Sequence, residues 1–551
     1  MPETREIPYR DMPGLSALFL DYLDLLPGAL RFYQKPPTIA GIEQLARGDL
    51  RQIARARSGL AAILERQNSA LGAGNPTFER IRELANADCV AVVTGQQVGL
   101  FAGPLYTIYK ALAAIRLADE LRSRGIGAVP VFWMECEDHD LAEVTHVTAI
   151  AADSAIRRLD FREFLYGDIR ESARSVGTLT LPQSIQKVTE EYAALLPDGK
   201  YKESIRSALE SAYQPGTGFA DAFGRFMTHL FQERGLIFFN PADLEAKRLA
   251  APVFQKAIHR TDAIHRLIAG RNQELATAGY HSQVNFSDNS TVLFLLEGNE
   301  RRAVIRDGAG FTLKNSDHSY SAADLLRLTE EAPERFSPNV LLRPLIQDRL
   351  FPTVAYVGGP AEIAYFSQIE VLYRLFEMPM PVIWPRASFT LLEPEIHRTL
   401  VESGIEVADC LRGRQVVTEK MNERVSRSGI SAGVKSLGEQ LDRTLAGIRP
   451  ELVFAEASLG AALDTAKRKM LHNVEALHAK LVQFEARQNG GSGQKVDFIL
   501  NHCAPNKSLQ EREFGAPVFL SRHGLPLLDA IYSEIKVESF MHRAIVLDAI
   551  Q

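Results

Sequence analysis

Two short stretches concentrate residue types that can do chemistry. The first, TGQQVGLFAGP from Thr94 to Pro104, places glycines 95, 99 and 103 and two glutamines between an apolar run and a proline that opens a helix. Glycine lets a backbone come close to a ligand. Glutamine amides both donate and accept hydrogen bonds without adding charge. The start of the following helix should turn free N–H groups and a positive dipole end toward the same place, which suits a phosphate or carboxylate. Gly95, Gln96, Gln97, Gly103 and Tyr106 are therefore candidate substrate contacts. The second stretch, ECEDHDLAEVTH from Glu135 to His146, crowds acids and two histidines directly after another apolar run. Such a loop can orient an amine, hold Mg²⁺ or supply a base. Asp138 and His139 are the catalytic candidates, and Glu137 and Asp140 the candidates for meeting a substrate ammonium. Cys136, His139 and His146 fit no common zinc spacing, so no metal ligand is assigned.

Two further segments repeat this character. VGGPAEIAYFSQ again sets glycines, Gly358 and Gly359, before a proline that starts a helix, and Glu362 suits the positive end of that helix. Arg343, in LLRPLIQD, can grip a carboxylate or phosphate bidentately or brace the sheet edge. Near the end, NHCAPNKSLQEREF carries Asn506, Lys507 and Arg512, a polar loop whose basic pair could cover a polyphosphate. Neither G-x-G-x-x-G nor G-x-x-x-x-G-K-[ST] occurs in the first loop, which disfavours a dehydrogenase or a P-loop kinase.

The elements that must position these residues follow from pattern. Val90–Thr94 reads as a strand, PLYTIYKALAAIRLADELRSRG from Pro104 as a helix ending near Gly125, and Ala128–Met134 as a buried strand. That is a βαβ unit with parallel strands. The same rhythm returns in GFADAFGRFMTHLFQERG with LIFFNPAD, and in TVAYVGG, PAEIAYFSQIEVLYRLFEM and PVIWPR. One parallel sheet with helices on both faces, interrupted by insertions, is the economical reading. Ligands of such sheets bind beyond the carboxyl ends of the strands, where the candidate loops lie.

The insertions differ in kind. Residues 156–215 combine a short predicted strand, SVGTLTL, with charged helices, and residues 279–314 alternate as antiparallel hairpins beginning at HSQVNF. In residues 391–495, Leu459, Leu463, Ala466, Met470, Val474, Leu477, Leu481 and Phe484 form a near-heptad seam. An earlier arm runs through Val434, Leu437, Leu441, Leu445 and Ile448, with Pro450 between the two. The expectation is an antiparallel helical hairpin, and a coiled coil that also dimerises is the sharper form of it.

The totals exclude several classes. The 551 residues are 46% apolar and 24% charged, with a formal charge of −6, so no global basic field favours nucleic acid. No apolar run spans a bilayer, the N-terminus does not read as a secretory signal, and four scattered cysteines give no disulfide framework. A cytoplasmic protein is expected.

Six motifs in order, TGQQVGLFAGPLYTIYKA, VPVFWMECEDHDLAEVTH, RPLIQD, AYVGGPAEIAYFSQ, MPVIWPRAS and the P-N-x-S-x-Q-E-R stretch, resemble the bacillithiol biosynthesis cysteine-adding enzyme family, the cysteine ligases. The resemblance covers Thr94 to Gly524. It implies a Rossmann-type core like that of class I aminoacyl-tRNA synthetases, with two connective-peptide insertions and a dimerising coiled coil. The implied division is core at 1–155, 216–270 and 336–390, insertions at 156–215 and 271–335, coiled coil at 391–495, and a return to the core at 496–551. The implied role is addition of cysteine to glucosaminyl-malate, the last step in making bacillithiol, by a homodimer. The sequence departs from the family pattern at Cys136 and Lys507, and shows neither the HxGH nor the KMSKS signature. Activation of the cysteine carboxylate by ATP or another nucleotide thus follows from reaction class rather than from a motif. Asn506, Lys507 and Arg512 would be its contacts. A nucleotidyltransferase on the same fold and a non-catalytic coiled-coil scaffold are the competing readings.

Overall fold

The computed structural model describes residues 4–48, 57–151, 153–166, 174–298, 300–308, 310–425, 430–488 and 492–547. The chain forms two compact units. The first comprises Met1–Phe389 with Glu511–Arg543, and the second Thr390–Gln510 with the segment from Ala544.

The first unit is built on five parallel strands: β1 (Val90–Gln97), β2 (Ala128–Glu135), β3 (Ile237–Phe239), β4 (Thr353–Gly358) and β5 (Val382–Pro385). Their order is β5-β4-β1-β2-β3, every neighbouring pair parallel. The predicted βαβ rhythm is therefore present. β1 and β2 each run beyond their predicted ends, so Gln96 and Gln97 are strand residues rather than loop residues. The chain winds outward from β1 through β2 to β3, then crosses to β4 on the other side. The order reverses between β1 and β4, and a crevice opens at such a switch point. Nearly every strand residue is buried, as a sheet covered on both faces requires.

The edge at β3 is closed by side chains. Asn68 donates to the Phe238 carbonyl at 2.8 Å and accepts from its N–H at 2.9 Å. Gln67 does the same for Asn240, at 3.1 and 2.8 Å. Two consecutive amides on the helix Arg57–Ala70 thus stand in for a sixth strand and occupy the edge that would otherwise pair with another chain.

The insertions depart from the sequence reading in detail. Within SVGTLTL, Val176–Thr178 is a 3₁₀ turn, and residues 281–286, read as the first hairpin strand, carry no strand. The hairpin region is a five-stranded antiparallel sheet of Ser290–Glu297, Glu300–Asp307, Gly310–Leu313, Ser319–Tyr320 and Phe336–Pro338. Its last strand lies past the expected boundary at 335.

The second unit contains the predicted helical hairpin, α1 (Ile430–Ala455) and α2 (Ala457–Gln488). Asp442 pairs with Lys467 at 2.7 Å and Arg449 with Asp464 at 2.9 Å, so the arms are antiparallel. Pro450 does not separate them. It lies inside α1, which continues to Ala455, and the chain reverses at Glu456. The predicted seam also divides. Val474 packs against Gly438, whereas Met470, Leu477 and Phe484, seven residues apart, are 44%, 53% and 59% exposed. No helix among the described residues is long and apolar enough to cross a membrane.

Candidate active site

A cavity of about 620 Å³ opens at the switch point, lined wholly by residues of the first unit. Register explains its wall. Gly95 lies beside Trp133, and Gln97 beside Glu135, across the β1–β2 ladder. A Cβ at Gly95 would meet the Trp133 backbone oxygen at 3.0 Å, so the glycine makes room for the protein's own tryptophan. Gly359 does the same for Arg386, whose Nε would lie 3.2 Å from a Cβ there.

Gln96 and Gln97 both line the cavity, and both are held. Gln96 accepts from Lys110 Nζ at 2.9 Å and donates to the Tyr106 hydroxyl at 3.3 Å. Gln97 donates to Asp138 Oδ2 at 2.8 Å. Lys110 also donates to the Gly95 carbonyl at 2.9 Å and pairs with Glu362 at 2.6 Å, so it ties β1 to the helix that follows β4. The Tyr106 ring carries three cations above it: the guanidinium of Arg386 at 5.4 Å, that of Arg512 at 6.0 Å and Lys110 Nζ at 6.0 Å.

The helix starts do not offer the free N–H groups the sequence predicts. Glu362 accepts from Gly359 N–H at 2.8 Å and from the Tyr356 hydroxyl at 2.5 Å, so the helix Pro360–Phe376 is capped by its own first turn. At the other start, Leu105 N–H donates to the Phe514 carbonyl at 2.8 Å, and Pro104 bridges to Gly515. Gly103, at φ 65°, serves this turn and does not line the cavity; neither does Gly358, whose Cβ would meet that of Glu362 at 3.0 Å. Positive potential comes instead from arginines. Arg343 lines the cavity, donates to Gln347 and Tyr365 at 2.9 and 3.1 Å, and lies 3.9 Å from Glu135. Arg386 pairs at 2.5 Å with the fully buried Glu511.

The acidic loop is sorted by the fold. Asp138 lines the cavity, with Oδ2 bound to Gln97 and Oδ1 accepting from His139 N–H at 2.7 Å. His139 also lines it, its Nδ1 3.2 Å from Arg301 Nη1 and 3.4 Å from Asp138 Oδ1. Arginine can only donate and a carboxylate can only accept, so these two neighbours ask opposite roles of Nδ1. Glu137 is turned away. It is buried in an ion pair with Lys247, which also donates to the Phe336 carbonyl at 2.7 Å. Asp140 caps the short helix Leu141–Val144 by accepting from Glu143 N–H at 3.2 Å, and does not line the cavity. Cys136 is buried and lies outside the cavity, and burial beside Glu137 and Glu135 pushes its thiol up. No group of three or more His, Cys, Asp or Glu among the described residues is placed to hold a metal.

Arg512 lines the cavity, but Asn506 and Lys507 belong to the second unit, on the turn Pro505–Lys507 at φ 52° and 62°. The predicted nucleotide trio is thus divided between the two units.

Of the cavity residues that sequence reading passed over, four bear on the chemistry. Glu135 and Arg386 stand at or just after the ends of β2 and β5, where the strand-end rule would have found them. Trp133 reads as an ordinary apolar strand residue. Arg301 comes from the antiparallel insertion, stacks 3.7 Å over Phe294 and donates to Ser337 and the Pro338 carbonyl. No local signal in the sequence points it at the core.

Comparison with known proteins agrees with this architecture. Residues 3–387 match the description "Bacillithiol biosynthesis BshC, N-terminal Rossmann-like domain", and residues 389–547 the corresponding "C-terminal coiled-coil domain". A protein of Koribacter versatilis named "Putative cysteine ligase BshC" is 35% identical over 535 residues, covering 95% of this chain and 96% of that one. A protein of the same name from Salinibacter ruber is 36% identical over 492 residues, covering 89% and 88%. Among solved structures, one titled as a putative arginyl-tRNA synthetase from Campylobacter jejuni aligns over 83% of this chain and 99% of its own at 8% identity. Its TM-score of 0.22 carries no argument. With both family descriptions matched end to end and relatives similar over almost their whole length, the chain belongs to the BshC family of bacillithiol biosynthesis.

Proposed function

We propose that this protein is a cysteine ligase that joins the carboxylate of cysteine to the amine of glucosaminyl-malate, completing bacillithiol. The observation that carries the reading is one cavity lined by both signs of charge. Arg386 and Arg512 lie over the Tyr106 ring, and Glu135, Asp138 and Glu143 line the same cavity, with Arg343 and Arg301 beside the acids. Malate carboxylates and a sugar ammonium would both find partners there, and so would zwitterionic cysteine. Asp138, oriented by Gln97, would receive an ammonium, with His139 beside it. Gly95, Gln96, Tyr106, Arg343 and Gly359 complete the substrate surface in this reading.

A carboxylate is a poor acyl donor, so the cysteine carboxyl must be activated, most simply as a phosphate ester made from ATP. Arg512 is the residue on this cavity best suited to a phosphate. The test is thiol profiling of source cells lacking the chain. Glucosaminyl-malate should accumulate, bacillithiol should vanish, and both should revert when the gene is restored. Unchanged bacillithiol would overturn the reading. Purified protein that exchanges pyrophosphate into ATP without any amino acid would favour nucleotidyl transfer instead.

The same reading includes a second copy of the chain docked on the helical hairpin. Met470, Leu477 and Phe484 form an exposed heptad-spaced stripe that the hairpin itself does not cover. Light scattering of the protein with Leu477→Asp and Phe484→Asp should report a monomer where the parent is a dimer.

A further inference from the structure

Joining cysteine to a sugar amine requires that the nitrogen first be neutral, because an ammonium has no lone pair. Some group on the cavity wall must accept its proton. Four carboxylates line the cavity: Glu135, Asp138, Glu143 and Glu362. Both oxygens of Asp138 are engaged, by Gln97 and His139 N–H. Both oxygens of Glu362 are engaged, by Tyr356, Gly359 and Lys110. Glu143 is an exposed residue near Gln97, although partial burial pushes its carboxyl up as well. His139 has its Nδ1 already occupied between Arg301 and Asp138.

Glu135 is different. It ends β2, where the strand delivers its side chain to the cavity beside Gln97. Its Oε2 accepts from the indole N–H of the fully buried Trp133 at 3.2 Å, which fixes the carboxylate's orientation. Its Oε1 has no hydrogen-bond partner among the described residues. Arg343 Nε stands 3.9 Å from Oε2, too far for a hydrogen bond.

We propose that Glu135 takes the proton from the sugar ammonium before its nitrogen attacks, a role that rests on the cysteine-ligase reading above. The step is a proton transfer: an N–H bond of the ammonium breaks, an O–H bond forms at Glu135 Oε1, and the nitrogen keeps the electron pair. The result is a neutral amine and a neutral carboxylic acid, with no other reactant. The surroundings suit it. Burial raises the Glu135 carboxyl to about 7, with Glu137 and Asp138 pushing the same way and Arg343 and Arg301 opposing. A base that titrates near the working pH is both deprotonated often enough and basic enough to act.

The experiment measures product formation from cysteine, glucosaminyl-malate and ATP across pH, by mass spectrometry, for the full-length chain and three variants. For the parent, kcat/KM should rise with pH through a limb near neutrality. Glu135→Gln should lose about 100- to 10,000-fold in kcat, lose that limb, and still bind glucosaminyl-malate within about tenfold by calorimetry. Glu135→Asp should keep the limb at a reduced rate, and Glu135→Ala should regain activity when formate is added. A Glu135→Gln protein within about tenfold of the parent in kcat, or with the acid limb intact, would overturn the proposal. If Glu135→Gln does not fold, as judged by its melting curve, Glu135→Asp and formate rescue of Glu135→Ala decide. A parent that makes no product at any pH with ATP or with any other nucleoside triphosphate refutes the ligase reading itself, an outcome visible before any variant is compared.

Discussion

Glu135 and Glu362 face one cavity from opposite sides of the switch point, and their fates differ. Glu362 follows β4 and is enclosed by partners: Lys110, Gly359 N–H and the Tyr356 hydroxyl. Burial alone would raise its pKa, but the Lys110 charge and those hydrogen bonds outweigh it and hold the carboxyl below its ordinary 4.5. Glu135 ends β2 with one hydrogen bond and with Arg343 no nearer than 3.9 Å, and burial carries it to about 7. A carboxylate at a strand end can thus be spent on holding the switch point together or left poised for a proton. The number of donors within reach decides which.

The largest test of that contrast removes Glu362. Glu362→Ala strands the buried Lys110 ammonium and leaves Gly359 N–H without its acceptor, which should cost about 3–5 kcal/mol in urea denaturation. Lys110→Met added to it should recover part of the loss. Because the folded carboxyl lies below 4.5, the stabilisation should be complete above that pH and fade as pH falls through it. Stability unchanged in Glu362→Ala would mean that the pair holds nothing.

Next comes the opposite sign at Glu135. Its folded pKa is raised from 4.5 to about 7, so its contribution is full below 4.5 and lost as pH rises through 7. At pH above 7 the ionised carboxylate weakens the fold. Glu135→Gln should therefore be more stable than the parent at alkaline pH, by about 1–3 kcal/mol, and lose that advantage in acid. A parent more stable than the variant at alkaline pH would show that Arg343 and Arg301 outweigh the cost of burying the Glu135 charge.

Arg512→Ala probes the cations over Tyr106. Arg512 is exposed, so the melting temperature should hardly move, while binding of glucosaminyl-malate weakens about ten- to a hundredfold for a lost charged contact of about 1.5–3 kcal/mol. Unaltered affinity would remove the malate from this residue. The smallest effect belongs to Gln97→Ala. Gln97 orients Asp138, which keeps its bond to His139 N–H, so a loss of about 1 kcal/mol, roughly fivefold in affinity, is expected by calorimetry. A hundredfold loss would mean that Gln97 meets the substrate itself.

The parallel sheet was legible in the sequence because its strands are short apolar runs, each bounded by turn residues and tied to helices by period. Gln96, Gln97, Asp138 and His139 were legible as cavity candidates for the same reason: strand ends in such a sheet converge, whatever follows them. The helical hairpin was legible from its heptads, although Pro450 marks no turn, since a helix packed along a partner can absorb one missing hydrogen bond.

What the sequence could not decide was which polar groups would spend themselves on one another. Glu137 and Glu135 are two residues apart in one acidic run, yet Lys247, 110 positions away, claims the first and leaves the second to the cavity. Leu105 N–H is taken by Phe514, and Arg301 arrives from an insertion to contact His139. A hydrogen bond or ion pair is settled by distances of about 3 Å, and only the folded chain brings such distant residues that close. Residue types and strand ends fix where chemistry can gather; tertiary contacts fix which of those groups remain free to do it.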